Sequence, residues 1–274
     1  MSSIEDVKFQ LWQLLAGDQL RVTPVDVLRQ LRAKLPGASA TLIRKAIQQM
    51  VDAGELLYTQ PSGVTHLQLG GVGVVRLGMS SSLGMGMTLR KVDTLPVILL
   101  EPGLAFGAGD HPTTQLSLQG LNWALSQMHR FADSQGLRVL DVGTGTGVLA
   151  IAAILMGAHK AVAIDLDPAA CYEASRNAAR NGVRSELAIV AGSLEAVGNI
   201  PFDVIVANLR PPTIVSLLPR MATLRSVKGY WVFSGFRPDE ARRIEQSFPE
   251  NMRPLHRLQN RGWSALVAGQ YIEL

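Results

Sequence analysis

A single cysteine in 274 residues removes two kinds of chemistry at the outset. Cys171 has no partner for an internal disulfide and no companion thiols for a metal cluster. Its surroundings, "DPAACYEASRN", read as a helix face without a histidine to activate the thiol, so no nucleophilic role is assigned to it. His66, His111, His129, His159 and His256 show no i, i+4 pairing of the kind that places two ligands on one helix face. No metal site is expected. Long apolar runs are also missing: the longest, "VLAIAAILMGA" at 148–158, falls well short of the roughly 18 residues that a membrane-spanning helix needs. The first residues carry Glu5 and Asp6 ahead of a short amphipathic stretch and have neither the basic start nor the apolar core of a secretory signal. A cytoplasmic protein without a membrane partner is expected. Charge is scarce as well, at 18% of residues, and 26 basic against 22 acidic side chains leave a net charge of +4. That bias is too mild to indicate a nucleic-acid partner by itself.

What is present is a globular composition, with 47% hydrophobic residues, and a length that suits two unequal domains. The first domain is read over residues 1–70. In "VTPVDVLRQLRAKL", Thr23 stands at an N-cap, Pro24 at the first helical position and Asp26 three residues after the cap. After "PGA", the stretch from Ser39 repeats apolar residues at Leu42, Ile43, Ala46, Ile47 and Met50 and stops at Gly54, which predicts a second strong helix. "LLYTQ", "PSG" and "VTHLQL" then read as two strands around a turn. Three helices and a hairpin between residues 4 and 69 look like a winged helix. Its recognition helix would carry only Arg44 and Lys45, and the stretch from Pro61 to His66 carries no Lys or Arg. Neutralising several phosphates needs more positive charge than that, so nucleic acid is weakly supported as a partner.

Residues 71–96 read as a linker, with glycines at 71, 73, 78, 84 and 86 and three consecutive serines, although "VVRLGM" has the composition of a strand. The second domain is read over 97–274. Within it, "RVLDVGTGTGVLAIAAILMGAHKAVAIDLDP" from residue 138 gives a strand, a glycine loop, a helix and a second strand ending in Asp165. Glycines let the backbone approach a ligand, and an acid at the next strand end accepts hydrogen bonds from ribose hydroxyls. The spacing G-x-G-x-G differs from the dinucleotide pattern G-x-G-x-x-G, which disfavours a nicotinamide cofactor. Asp167 reads either as a second ligand or as a helix cap ahead of Pro168. A strand from Asp203 to Ala207 ends at Asn208, whose amide offers both a donor and an acceptor. "GYWVFSGF" at 229–236 reads as the fifth strand, and residues around 255–269 as a terminal hairpin turning at Gln259 to Gly262.

Asp141 followed by "VGTGTG" resembles the first motif of class I S-adenosylmethionine-dependent methyltransferases, a fold with a seven-stranded, doubly wound α/β sheet. With "EPGLAFGAGDHPTT", "AIDLDPAA" and "DVIVANL" in order, residues 97–274 resemble more narrowly the PrmA family, the methyltransferases of the eleventh large-subunit ribosomal protein. The resemblance implies S-adenosyl-L-methionine as cofactor. It implies that Thr114 contacts the cofactor, that Phe106 and Gly107 shape a lid over it, that Asp141, Gly143, Gly145 and Gly147 form its loop, and that Asp165 holds its ribose. Asn208 is implied to bind the cofactor and to orient the target amine, which makes it the candidate catalytic residue. Pro112, Thr113 and Thr114 also read as a helix cap, and His111 as part of the lid pattern more than as a base. Residues 1–70 do not read as the small α/β module of the family, and "NLRPPTI" puts Arg210, Pro211 and Pro212 where the family is small and apolar. Asp110 stands where the family is usually neutral, which would suit a cationic substrate.

The expected activity is N-methylation of a lysine or terminal amine on a ribosomal or related protein. A methyltransferase for RNA or a small molecule, and a non-catalytic S-adenosylmethionine sensor that binds DNA through residues 1–70, are the alternatives.

Overall fold

The computed structural model describes residues 2–16, 22–52, 56–59, 65–69, 73–76, 97–101, 111–129 and 136–270. The described residues up to 101 form one compact unit and those from 111 onward a second. Among them no helix is long and apolar enough to cross a membrane.

In the first unit the capping residues act where the sequence places them. Thr23 Oγ1 accepts from the Asp26 amide at 3.2 Å, and the Thr23 hydroxyl donates to Asp26 Oδ2 at 2.6 Å. Helix α1 spans Ile4–Ala16, α2 Pro24–Lys34 and α3 Ala40–Asp52, with Ser39 Oγ receiving the Leu42 amide at the start of α3. Their apolar faces bury Val7, Leu11, Leu15, Val27, Leu31 and Ile43 in one core. Strands β1 (Leu56–Thr59) and β2 (His66–Leu69) pair antiparallel, and an isolated bridge joins Val22 to Leu67.

The expected boundary at residue 97 does not hold. Strand β4 (Val97–Leu100) pairs antiparallel with β3 (Gly73–Arg76), and Leu99 is buried in the core of the first unit. The backbone of 97–100 thus makes its hydrogen bonds to residues that had been read as linker. The rest of that linker, 71–72 and 77–96, lies outside the described residues.

The second unit begins with helix α4 (Pro112–Met128). Alternation of β5 (Arg138–Val142), α5 (Val148–Leu155), β6 (Lys160–Asp165), α6 (Pro168–Arg180), β7 (Leu187–Ala191), β8 (Phe202–Asn208), α7 (Pro211–Leu224) and β9 (Arg225–Phe236) builds a parallel sheet. A short helix α8 (Ala241–Glu245) leads to the hairpin β10 (Met252–Asn260) and β11 (Trp263–Gln270). The strand order is β10-β11-β9-β8-β5-β6-β7, with β11 antiparallel to both neighbours. β5 therefore sits centrally and the order reverses beside it, which opens a crevice at the carboxyl ends of the strands. The hairpin turns on Arg261 and Gly262, at φ +48° and +76°. Two successive left-handed residues match the twist of the flanking strands.

Most central strands are buried on both faces, as parallel strands covered by helices must be. Trp231, Phe233, Ile214, Leu218 and Met221 form the core between the sheet and α7. On the opposite face α4 lies close to β9 and β11, because Gly120 has no side chain to hold it off. A Cβ there would meet Val232 Cγ1 at 2.7 Å and Val267 Cγ2 at 3.1 Å. Gly120→Val should therefore cost about 1–3 kcal/mol, as overpacking of a filled core does. Urea unfolding followed by circular dichroism checks this, and an unchanged midpoint would show that α4 can shift without loss.

Candidate functional site

The site is built where β5, β6 and β8 end. After β5 the chain must turn sharply into α5, and it does so with Gly143, Gly145 and Gly147 at φ +74°, +54° and +83°. Gly143 is also pressed against the residue that follows β8: a Cβ would lie 2.6 Å from Leu209 Cδ2. Two carboxylates hold this loop. Asp165, at the end of β6, accepts the Gly145 amide on Oδ2 at 2.9 Å and the Asp167 amide on Oδ1 at 3.0 Å. Each oxygen keeps a further lone pair for a ligand hydroxyl. Asp141 is wholly buried, and its Oδ2 accepts from the Thr144 hydroxyl at 2.7 Å and the Ala150 amide at 3.1 Å. Its Oδ1 has no partner among the described residues.

Asp167 settles as a cap, its side chain accepting the Ala169 amide at 2.8 Å at the start of α6. Leu166, between the two acids, is 76% exposed and offers apolar surface directly beside Asp165. Burial pushes the Cys171 thiol up from its ordinary value, and its Sγ lies against the carbonyls of Val190 and Asp165.

A third component comes from α4. Its N-cap is His111, whose Nδ1 accepts the Thr113 amide at 3.3 Å, so the cap falls one residue before the Pro-Thr-Thr run that the sequence suggested. Thr113 is buried and its hydroxyl oxygen receives Asn208 Nδ2 at 3.2 Å. The structure thus brings the end of β8 to the first turn of α4, across 95 positions of sequence. Three buried polar atoms in this region, Thr114 Oγ1, Ser117 Oγ and Asn208 Oδ1, have no partner among the described residues. An unpaired buried polar group costs about 1–3 kcal/mol, so such a cluster points to a ligand that satisfies it. Phe106 and Gly107 lie outside the described residues.

Sequence reasoning passed over three contributors. Asn177 on α6 is buried and donates to the Thr146 carbonyl at 2.8 Å, fixing the loop from the side, and only its place on the inward face of α6 could have marked it. Thr113 reads from the sequence as a cap, whereas the fold makes it the partner of Asn208. Leu166 carried the faint signal of an apolar residue between two acids at a strand end. The departure "RPP" after Asn208 has a local explanation: Pro211 stands at the first position of α7 after Arg210, where its fixed φ suits the first helical turn and its missing N–H is no loss.

A central strand followed by a glycine loop, an acid at the next strand end and the strand order above define the class I methyltransferase fold. The profile of the ribosomal protein L11 methyltransferase (PrmA) family matches residues 86–270, and the chain belongs to that family. It is 39% identical over 173 residues to the ribosomal protein L11 methyltransferase of Thermosynechococcus vestitus, a match covering 63% of this chain and 54% of that protein. To the enzyme of the same name from Cyanothece sp. it is 41% identical over 149 residues, 54% of this chain and 50% of that protein. The chain thus spans about half the length of the curated relatives it matches. The crystal structure of ribosomal protein L11 methylase from Lactobacillus delbrueckii subsp. bulgaricus superposes with a TM-score of 0.57 at 31% identity, covering 72% of this chain and 98% of that one.

Burial raises the Asp141 carboxyl to about 7 from an ordinary 3.8, against the opposing pull of its hydrogen bonds from Thr144 and Ala150. In the unfolded chain the group ionises near 3.8, so the stability of the protonated form is fully present below that pH and is lost as pH rises through about 7. Asp141→Asn cannot ionise. Its stability relative to the parent protein should therefore improve between about pH 4 and pH 8, by on the order of 2–4 kcal/mol. Thermal or urea unfolding across that range measures the gap, and a gap independent of pH would refute the assignment.

Proposed function

We propose that the chain transfers a methyl group from S-adenosyl-L-methionine to an amino group of ribosomal protein L11 or a related protein. The observation that carries this reading is Asn208 Oδ1, a buried acceptor without a partner among the described residues, at the end of β8 beside a loop anchored by Asp165. The unpaired groups fit the cofactor by kind. Thr114 supplies a hydroxyl, Asp141 and Asp165 supply acceptors for ammonium and ribose hydroxyl groups, and Gly143, Gly145 and Gly147 give a backbone that a ligand can approach. Bound there, S-adenosylmethionine supplies an electrophilic methyl on a positively charged sulfur.

The protein has little covalent work to do. A neutral amine lone pair forms the new N–C bond while the C–S pair returns to sulfur, and the methylated ammonium gives its extra proton to solvent. Placement of the amine in line is then the main source of acceleration. Asn208 Oδ1 accepts an amine N–H, which turns the lone pair toward the methyl group. Residues 1–70, read as a winged helix, present the substrate, with exposed Arg44 and Lys45 on α3 too few to favour nucleic acid. A cytoplasmic location goes with a ribosomal substrate.

Two experiments test this reading. Asp165→Ala should weaken S-adenosylhomocysteine binding by roughly 1.5–3 kcal/mol in calorimetry, since it removes hydrogen bonds to a charged acceptor and frees the Gly145 amide. Methyl-labelled cofactor incubated with recombinant ribosomal protein L11 should leave label in the protein that protease releases. Label lost to nuclease in a host extract would favour an RNA substrate, and cofactor binding without transfer would favour the sensor.

A further inference from the structure

The hydrogen bonds around Thr113 can run in only one direction. Its amide reaches His111 Nδ1 at 3.3 Å, and an amide can only donate. Nδ1 must then carry a lone pair, which puts the ring proton of the neutral imidazole on Nε2. The Thr113 hydroxyl lies 2.8 Å from the same nitrogen, and with the ring proton on Nε2 it donates into the one lone pair there, which the more distant amide shares as a weaker, bifurcated partner. With its proton committed to His111, Thr113 Oγ1 offers Asn208 only an acceptor. The amide must answer with Nδ2, at 3.2 Å, and its Oδ1 is turned to the opposite side, where it is buried and without a partner among the described residues.

A helix cap needs none of this beyond the first contact. The Thr113 amide alone would satisfy the cap, whereas the hydroxyl and Asn208 extend the chain of bonds to the strand end where the candidate chemistry sits. The ring is itself held: Trp263 meets it edge-on with centroids 5.1 Å apart, and Arg237 lies 4.0 Å over the Trp263 ring while donating to the Gly262 carbonyl at 2.9 Å. The terminal hairpin therefore fixes the imidazole, and the imidazole fixes Thr113.

We propose that His111, acting through Thr113, sets which end of the Asn208 amide faces the reacting amine. The proposal rests on the methyltransferase reading above and makes His111 and Thr113 positioning residues. Its consequence is chemical. If Nδ1 cannot accept, the Thr113 hydroxyl turns to Asn208, and only Oδ1 can receive it. The amide then rotates, and Nδ2 faces the amine with a donor that occupies the lone pair needed for attack on the methyl group. The rate falls although the site keeps its shape.

The imidazole and side-chain amide nitrogens of the full chain, followed by ¹⁵N NMR without ligand, report the bond directions directly. At neutral pH His111 should show an unprotonated Nδ1 and a protonated Nε2, and Thr113→Val should move both the Nδ1 and the Asn208 amide signals. In methyl transfer to recombinant ribosomal protein L11, Thr113→Val and His111→Ala should lower kcat about tenfold or more. The Kd of S-adenosylhomocysteine should stay within about twofold, as expected when ground-state binding is untouched. His111→Asn, which places an acceptor oxygen near the position of Nδ1 and caps a helix equally well, should recover most of that rate, as should Thr113→Ser. A protonated Nδ1, an Asn variant as impaired as the Ala variant, or a loss of cofactor affinity that parallels the loss of rate would each overturn the proposal. Failure of the parent protein to methylate ribosomal protein L11 would instead count against the function proposed above, and the nitrogen signals would then decide the relay on their own.

Discussion

The hydrogen bond from the Gly145 amide to Asp165 is the constraint on which the site depends. It ties the turn after one strand to the end of the next, so a loop that glycine makes permissive is held in a single conformation. Gly143 and Thr144 add to it by donating to the Ile164 carbonyl at 2.9 and 3.0 Å, and Asp141 holds the far side of the loop from below. The loop can be close to a ligand because it has no side chains at three positions. It can be ordered without one because two carboxylates and Asn177 take its amide, hydroxyl and carbonyl groups.

The same logic governs the other half of the site. Asn208 is polar at the end of a strand whose preceding residues, Val204 to Ala207, are buried, and its orientation is not decided within its own element. It is decided by Thr113 on α4, which is in turn placed by the capping bond to His111. α4 reaches that position because Gly120 lets it lie against β9 and β11. Helix packing, capping and the polarity of one amide are thus links in one chain of causes.

Asp141 shows what burial costs a carboxyl beneath the loop. A carboxyl with one satisfied oxygen and one without a partner among the described residues, deep beneath a loop, is poorly placed for stability alone, and its raised pKa expresses that cost. A positively charged or donating ligand group at the loop would relieve it. Protein cores rarely keep such a group unless a partner arrives from outside.

Much of this was legible in the sequence, because it depends on local periodicity and on the needs of the backbone. The strand Arg138–Val142, the glycine turn, the strand Lys160–Asp165 and the cap at Thr23 follow from alternation, from φ values only glycine tolerates freely, and from amides that need acceptors. The strand pairing of 73–76 with 97–100 was not legible, because a strand without a partner has no composition that names its mate. Nor was the bond between Asn208 and Thr113, which are remote in sequence and are brought together only by the order of strands and the approach of α4. By itself the sequence determined which segments become strands and helices and that a glycine turn joins Val142 to Val148, since those features arise within a few residues. The direction in which the Asn208 amide points was decided by the tertiary structure alone, because a hydrogen bond takes its polarity from the partner the fold supplies.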